Sequence, residues 1–225
     1  MISSADISFS TRRENMFSIP LYQFKINQHE ALNKIILEDV KVTLANYKED
    51  LQEEKKAYGG QELWIKNWKY KKGFNVLSKV ALEASDVIIE RFVGVADAST
   101  LDIKVDGLWM NINKEHGYNL PHGHPNTHFA CVYYVKVPED SHAPIHFLNP
   151  DAGKLNWSSN MDRFENEWNK TDYFSDLRVD YSHKPEEGDL LIFPSYLLHY
   201  VEQNRCSEDR ISIAFNLSLW RKTSR

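Results

Sequence analysis

The sequence has little of what marks a secreted, membrane-bound or nucleic-acid-binding protein. It has two cysteines, Cys131 and Cys206, without C-x-x-C spacing, and we therefore expect a reduced, cytoplasmic protein. No apolar run approaches the ~18 residues that a membrane-spanning helix needs, and no apolar segment near the N-terminus resembles a signal peptide. The net charge of −5 offers no basic surface, so neither a membrane nor a nucleic acid is an expected partner.

What the sequence does contain suits a packed globular protein. Hydrophobic residues make up 42% of the chain and aromatic residues 12%, which is too many for a disordered chain. A length of 225 residues suits one large domain. We predict a single domain over residues 1–225, in which residues 1–100 supply a strand and helical support and residues 101–220 supply a core of strands.

The N-terminal third is predicted to hold one strand and two helices. Residues 16–26 alternate well enough for a strand, and the proline within them favours a sheet edge. Apolar residues recur at helical spacing over 32–51, which predicts a helix that ends in the charged run before Gly59. A second apolar stripe predicts a helix over 75–92. The aromatic and basic residues 61–72 are predicted to form a loop whose rings pack on the core.

From residue 101 onward the hydrophobic period changes to two, which predicts antiparallel sheets covered by the helices, an α+β arrangement. The candidate strands are 102–113, 127–137, 143–148, 189–193, 197–202 and 210–220. Residues 151–186 form the longest connection. Their mixed polar and aromatic content favours a functional lid or insertion.

Two histidines, His122 and His124, stand two residues apart in the stretch Leu120-Pro-His-Gly-His-Pro-Asn126. In an extended chain residues i and i+2 point to the same face, so both imidazoles can bind one metal ion. A single His-x-His motif is more often a surface feature than a metal site. A third candidate ligand, His199, follows a predicted strand and turn and strengthens the metal interpretation.

Arg210 and Ser212 share one face of the last predicted strand. A guanidinium that faces into a sheet sandwich needs a partner, because an unpaired buried charge is very costly. A ligand carboxylate would serve, since arginine binds carboxylates through two hydrogen bonds and the serine hydroxyl adds another. A salt bridge to an Asp or Glu on another strand is the alternative, and the strand alone leaves both open.

The order of these residues resembles that of the iron(II)- and 2-oxoglutarate-dependent oxygenases, most of all a small group from phages and bacteria. The resemblance lies in the His-x-His pair, in Pro185-x-x-Gly-Asp-Leu-Leu-Ile-Phe-Pro-Ser-x-Leu-x-His199, and in Arg210-x-Ser-x-x-Phe-Asn216. It covers residues 105–220 well and the N-terminal third loosely. It implies a double-stranded β-helix, the cupin-like jelly roll, with flanking helices.

The resemblance also assigns roles to residues. Iron(II) would be bound by His122, His124 and His199. The co-substrate 2-oxoglutarate would be held by Arg210, Ser212, Tyr134, Asn111 and Asn113. Two positions depart from the family pattern: Asn113 stands where a related branch has tyrosine, and His124 stands where the family usually has a carboxylate. A site that uses only His122 and His199 is therefore the main alternative.

The implied activity is a dioxygenase reaction in which 2-oxoglutarate is converted to succinate and an unidentified substrate is hydroxylated. The protein would supply binding, orientation and exclusion of water. Two alternatives come from other classes: a cupin metalloenzyme that does not use oxoglutarate, and a non-catalytic jelly-roll binding module. Dioxygen and 2-oxoglutarate are the expected small-molecule partners, and a homodimer is left open.

Overall fold

The computed structural model describes residues 18–57, 60–93, 99–141, 143–150 and 180–222. Most of the predicted lid, residues 151–179, lies outside the described residues. The helices are α1 His29–Ala45, the single-turn α2 Tyr47–Asp50 and α3 Lys72–Val93. The strands are β1 Tyr22–Lys25, β2 Leu51–Ala57, β3 Gly60–Ile65, β4 Leu101–Asn113, β5 Asn119–His122, β6 Phe129–Lys136, β7 Ile145–Leu148, β8 Asp180–His183, β9 Asp189–Pro194, β10 His199–Val201 and β11 Arg210–Arg221.

The strands form two antiparallel sheets. A major sheet of seven strands has the order β1-β9-β6-β11-β4-β3-β2, and a minor sheet of four has the order β5-β10-β7-β8. The first strand lies at the edge of the major sheet, as predicted, although it begins after Pro20. The hairpin β2–β3 extends the opposite edge by pairing with β4. Strands from both ends of the sequence therefore build one sheet.

The major sheet has two apolar faces with different neighbours. One face packs on α1 and α3, and this core contains Ile213 and Phe215 of β11. The neighbouring positions on the same strand, Ser212 and Ala214, point to the other side and line a cavity beneath the minor sheet. This alternation follows from the period of two along a strand. The helices therefore cover one face, and the other face is left for the site.

The two long helices pack closely because α3 begins on the surface of α1. The Asp39 carboxylate of α1 accepts the backbone N–H groups of Gly73 and Phe74 at 2.6 and 3.1 Å, which caps the start of α3. A side chain at Gly73 would not fit, since a Cβ there would lie 2.7 Å from the Ile36 backbone nitrogen. Among the described helices, none is long and apolar enough to cross a membrane.

The structure corrects three predictions of secondary structure. The first long helix ends at Ala45, where the N–H of Asn46 bonds the Val42 carbonyl, and the charged run that follows is the strand β2. Residues 61–72 are strand and a short 3₁₀ helix rather than a loop. The strands β5 and β8, each of four residues, were not predicted. The helix α3 and the six predicted C-terminal strands are confirmed.

Candidate metal and co-substrate site

Two strands of the minor sheet bring the three histidines together. His122 ends β5, His199 begins β10, and these two residues are direct partners in the sheet register. His124 follows two residues later, where its backbone N–H bonds the Ser195 carbonyl at 2.8 Å. One ring nitrogen from each histidine lies within 4.8 Å of the others. The structure therefore gathers all three predicted metal ligands at one point.

Hydrogen bonds at Nδ1 orient each of the three rings. The Nδ1 atoms of His122 and His199 lie 2.7 and 2.9 Å from the carbonyl oxygens of Leu120 and Leu197. A carbonyl oxygen only accepts, so in both rings Nδ1 carries the proton and Nε2 keeps its lone pair. His124 Nδ1 lies 2.9 Å from the side-chain amide oxygen of Asn216, which also only accepts. In this ring too, Nδ1 therefore carries the proton and Nε2 keeps its lone pair.

The electrostatics of the cluster suit a metal cation. The Nε2 atoms of His124 and His199 are 3.3 Å apart. Two nitrogens bound at ~2.1 Å and at right angles to one ion would be about 3 Å apart, so the spacing fits a shared ion. Burial, and then the neighbouring imidazoles of His122 and His124, lower the pKa of His199 to about 3. His199 is therefore neutral near pH 7, as a metal ligand must be.

The other end of the cavity holds a buried cation. Arg210 begins β11 and is only 1% exposed. Its Nη1 donates to Asn113 Oδ1 at 3.1 Å, but Nε and Nη2 have no hydrogen-bond partner among the described residues. The guanidinium lies 5.0 Å from the Tyr134 ring centroid. Burial lowers the pKa of Arg210, yet an arginine keeps its charge in proteins. An anion bound here would accept hydrogen bonds from the unpaired N–H groups and compensate the buried charge.

Two hydroxyl groups flank this guanidinium. Ser212 pairs with Asn111 of β4 on one side and with Tyr134 of β6 on the other. The Tyr134 hydroxyl is buried without a hydrogen bond of good geometry among the described residues. Burial raises its pKa to about 12, against the opposing effect of the nearby Arg210 guanidinium. It therefore stays protonated and can donate. A carboxylate placed here would accept hydrogen bonds from both the guanidinium and the phenol.

The two predicted asparagines differ in position. Asn111 lines the cavity with Ser212 and Tyr134. Asn113 lies behind them, where its Oδ1 accepts from Arg210 and its Nδ2 donates to Asn119 Oδ1 at 3.1 Å. Asn113 therefore orients the arginine in this structure, and its contact with oxoglutarate stays a prediction.

The sequence reasoning missed three residues that contact the histidines. Trp109 stacks on His124 with ring centroids 5.4 Å apart, and Phe193 meets His199 edge-on at 4.8 Å. Asn216 supplies the amide oxygen that bonds His124 Nδ1. The period of two could have found Trp109, because it shares a face of β4 with Asn111. Asn216 belongs to the motif that begins at Arg210, but a long-range contact cannot be read from that motif.

Comparison with known families identifies the segment that carries this site. Residues 107–216 match the family model described as "Putative 2OG-Fe(II) oxygenase". This segment, which is just under half of the chain, is similar to the 2OG-Fe(II) oxygenases. The recognition made from the sequence is thereby confirmed. No curated protein matches the oxygenase.

Solved structures resemble the oxygenase in fold at low sequence identity. A prolyl-4-hydroxylase from Pseudomonas putida is 13% identical with a TM-score of 0.58, over 92% of this chain and 95% of that one. The carbocyclase SnoK from nogalamycin biosynthesis is 10% identical with a TM-score of 0.59, over 88% of this chain and 79% of that one. HygX from Streptomyces hygroscopicus, with nickel and 2-oxoglutarate bound, is 10% identical with a TM-score of 0.53, over 89% of this chain and 82% of that one.

These findings decide the class of fold and of activity. The two antiparallel sheets are the predicted double-stranded β-helix with flanking helices, which is confirmed. The oxygenase is an enzyme of the class that depends on iron(II) and on the co-substrates 2-oxoglutarate and dioxygen. The family match over residues 107–216 favours neither a cupin metalloenzyme that works without oxoglutarate nor a non-catalytic module.

Proposed function

We propose that His122, His124 and His199 bind the iron(II) of this oxygenase. The support is the convergence of one ring nitrogen from each histidine. In each ring the proton is held on Nδ1 by a hydrogen bond to an oxygen, so Nε2 is free to bind a metal. Three neutral imidazoles are a ligand set that suits iron and leaves further coordination positions open. His124 would then replace the carboxylate that the family usually supplies.

We further propose that Arg210, with the hydroxyls of Ser212 and Tyr134, binds the far carboxylate of 2-oxoglutarate. The observation that carries this is the fully buried guanidinium with Nε and Nη2 unpaired among the described residues. Asn113 holds Nη1, so the remaining N–H groups are presented to the cavity. Asn111, on the cavity wall, is a further contact for the co-substrate.

The residues of the chain would bind and orient the reactants and keep water out. Bound iron(II) and 2-oxoglutarate would supply the oxidation: 2-oxoglutarate would lose CO2 and take up one oxygen atom of dioxygen to become succinate, and the other oxygen atom would be inserted into a C–H bond of the substrate. Phe193, Ala214 and Val132 give the cavity apolar walls between its metal and arginine ends. Such walls strengthen the charged contacts by excluding water. Hydroxylation of an organic substrate is the outcome we propose.

Three wider proposals accompany this function. Residues 1–225 act as one oxygenase domain, which is supported by the N-terminal strands β1, β2 and β3 joining the same sheet as the C-terminal ones. The protein works in the cytoplasm, which the unpaired cysteines favour. A homodimer is compatible with this function, and neither a nucleic acid nor a membrane is required as a partner.

The test is formation of succinate from 2-oxoglutarate by purified protein loaded anaerobically with iron(II) and then exposed to oxygen. Slow conversion without a primary substrate is expected from the wild-type protein. Arg210→Ala should lose it at low oxoglutarate while still binding the metal. Wild-type protein that binds the metal but forms no succinate with any 2-oxoglutarate concentration would refute the proposal.

A further inference from the structure

The three imidazoles of the site are not held in the same way. His122 and His199 each bond through Nδ1 to the carbonyl of the residue two positions earlier, Leu120 and Leu197. Both acceptors are backbone atoms, so no substitution of a side chain removes them directly. The orientation of these two rings is therefore a local property of the chain at β5 and before β10.

The orientation of the His124 ring depends instead on a side chain that is distant in the sequence. Its Nδ1 lies 2.9 Å from Oδ1 of Asn216, which is 92 residues away on β11. The amide oxygen accepts the Nδ1 proton, and this leaves the Nε2 lone pair directed at His199 Nε2, 3.3 Å away. The tautomer that can bind a metal is thus selected from outside the loop that carries His124.

The local structure of β11 directs Asn216 to this task. The pairing of β11 with β4 shifts register between Asn216 and Leu217, opposite Gly107. The extra residue at this shift, Asp106, lies on β4, so β11 keeps its period of two as far as Asn216. Asn216 follows Arg210, Ser212 and Ala214 on the face that lines the cavity, so one strand serves both ends of the site.

The plane of the His124 ring is fixed from a second direction. Trp109 stacks on it at 5.4 Å, and Trp64 stacks behind Trp109 at 4.5 Å. Gly107 makes room for this arrangement, because a Cβ there would lie 2.8 Å from the Trp64 ring. With the ring plane held by stacking, the bond to Asn216 decides which ring nitrogen faces the cavity.

We propose that Asn216 is a positioning residue that fixes the tautomer of His124 and so makes the third imidazole available to the metal. This inference rests on the proposed metal site. Residues that orient a metal ligand are typically worth about 10- to 100-fold in metal affinity. Because His122 and His199 are oriented by backbone atoms, Asn216 is the side chain on which the third ligand depends.

The experiment compares two substitutions at this position by anaerobic titration with Fe(II) and with Co²⁺, using the full chain. Asn216→Leu keeps the approximate volume and removes the acceptor, so metal affinity should fall by about 10- to 100-fold. The cobalt absorption spectrum should also change, because His124 is no longer oriented. Asn216→Asp keeps an oxygen that accepts from Nδ1, so it should retain affinity and spectrum close to wild type.

Ser218→Ala is the matched control. Ser218 is buried two residues further along β11 and bonds Asp106 and Thr127, but it does not contact the histidines. This variant loses polar contacts on the same strand and should keep wild-type metal affinity. Equal weakening in Ser218→Ala and Asn216→Leu would mean that general damage to β11 explains the effect, and the inference would be wrong.

His199→Ala, measured in parallel, separates this inference from the proposed function. Wild-type affinity in Asn216→Leu together with a loss in His199→Ala overturns the positioning role and leaves the metal site standing. Wild-type affinity in His199→Ala overturns the site itself. Where Asn216→Leu does not fold, a folded Asn216→Asp decides alone: retained affinity supports the role, and lost affinity overturns it.

Discussion

The two ends of the cavity differ in how complete they are. At the metal end each imidazole already has its Nδ1 proton bonded to an oxygen, and the ligand nitrogens converge within 4.8 Å. At the arginine end a buried guanidinium and a buried phenol have hydrogen-bonding atoms without partners among the described residues. The first end is oriented before any ligand arrives, whereas the second is satisfied only by one.

The two ends therefore contribute differently to stability and to binding. Orientation at the metal end costs little on binding, because the ring positions are set by the fold. At the arginine end the protein bears the cost of a buried, partly unpaired charge until a carboxylate is bound. Substitutions at the arginine end should therefore affect binding of the co-substrate more than the stability of the ligand-free protein.

The largest effect is expected for His199→Ala. It removes the most buried of the three proposed ligands, 5% exposed, and should abolish most iron(II) binding while the fold is kept. Metal content after anaerobic loading measures the loss. His128→Ala is the control, since His128 is exposed and lies outside the cluster. Equal iron content in the two variants would show that the metal end is misassigned.

Arg210→Met tests the arginine end and should weaken binding of the co-substrate without lowering stability. Losing charge-assisted hydrogen bonds of roughly 1.5–3 kcal/mol each should weaken 2-oxoglutarate binding about ten-fold or more. Without ligand, the melting temperature should stay close to wild type, because removal of a buried charge offsets the lost bond to Asn113. The rise in melting temperature with oxoglutarate should disappear.

An Arg210→Met variant that melts far below wild type without ligand but binds oxoglutarate normally would contradict the assigned role of Arg210. That result would make Arg210 a structural residue whose remaining N–H groups are satisfied within the protein. Thermal unfolding with and without oxoglutarate, with Ni²⁺ present to prevent turnover, measures both quantities on one sample.

Much of the C-terminal half could be predicted from the sequence, and the reason is local. In β4 and β11 the period of two is strong, and Arg210 and Ser212 lie on the face that this period assigns. The strand β6 could be recognised instead as a short, continuous apolar run. The buried partner of Arg210 could not be predicted in the same way. Asn113 reaches it across the β4–β11 pairing, which is a tertiary contact.

The N-terminal errors have the same origin. Residues 51–57 come directly after a helical pattern and carry charges that suit the end of an exposed helix. In the structure they instead form a strand that pairs with β3, and β3 pairs with β4. Pairing with a sheet formed 50 residues later along the chain overrides local preference. The short strands β5 and β8 depend even more on their neighbours, because four residues carry too weak a pattern to be recognised.

An intermediate effect is expected at His124, where the chain departs from the family. If His124 is a ligand, His124→Ala should lower iron affinity at least as much as Asn216→Leu does, and turnover with it. If His124 only orients other groups, the loss of affinity should be smaller and the main effect should be on rate. His124→Asp places a hard oxygen donor at the position that the family usually gives to a carboxylate, so part of the activity should survive. Iron content of the two variants, measured side by side, distinguishes a three-histidine site from a two-histidine one.

The smallest effect is expected for Tyr134→Phe, which removes one hydroxyl from the arginine end and leaves the ring under the guanidinium. Loss of one hydrogen bond of about 1 kcal/mol should weaken oxoglutarate binding roughly five-fold, with metal affinity unchanged. The direction with pH follows from the raised pKa of about 12: the hydroxyl remains a donor up to that pH. Wild-type protein should therefore show no step in oxoglutarate affinity near pH 10, where an ordinary tyrosine ionises. A step near pH 10 in wild type that Tyr134→Phe abolishes would mean that the phenol is more accessible to water than its 0% exposure indicates.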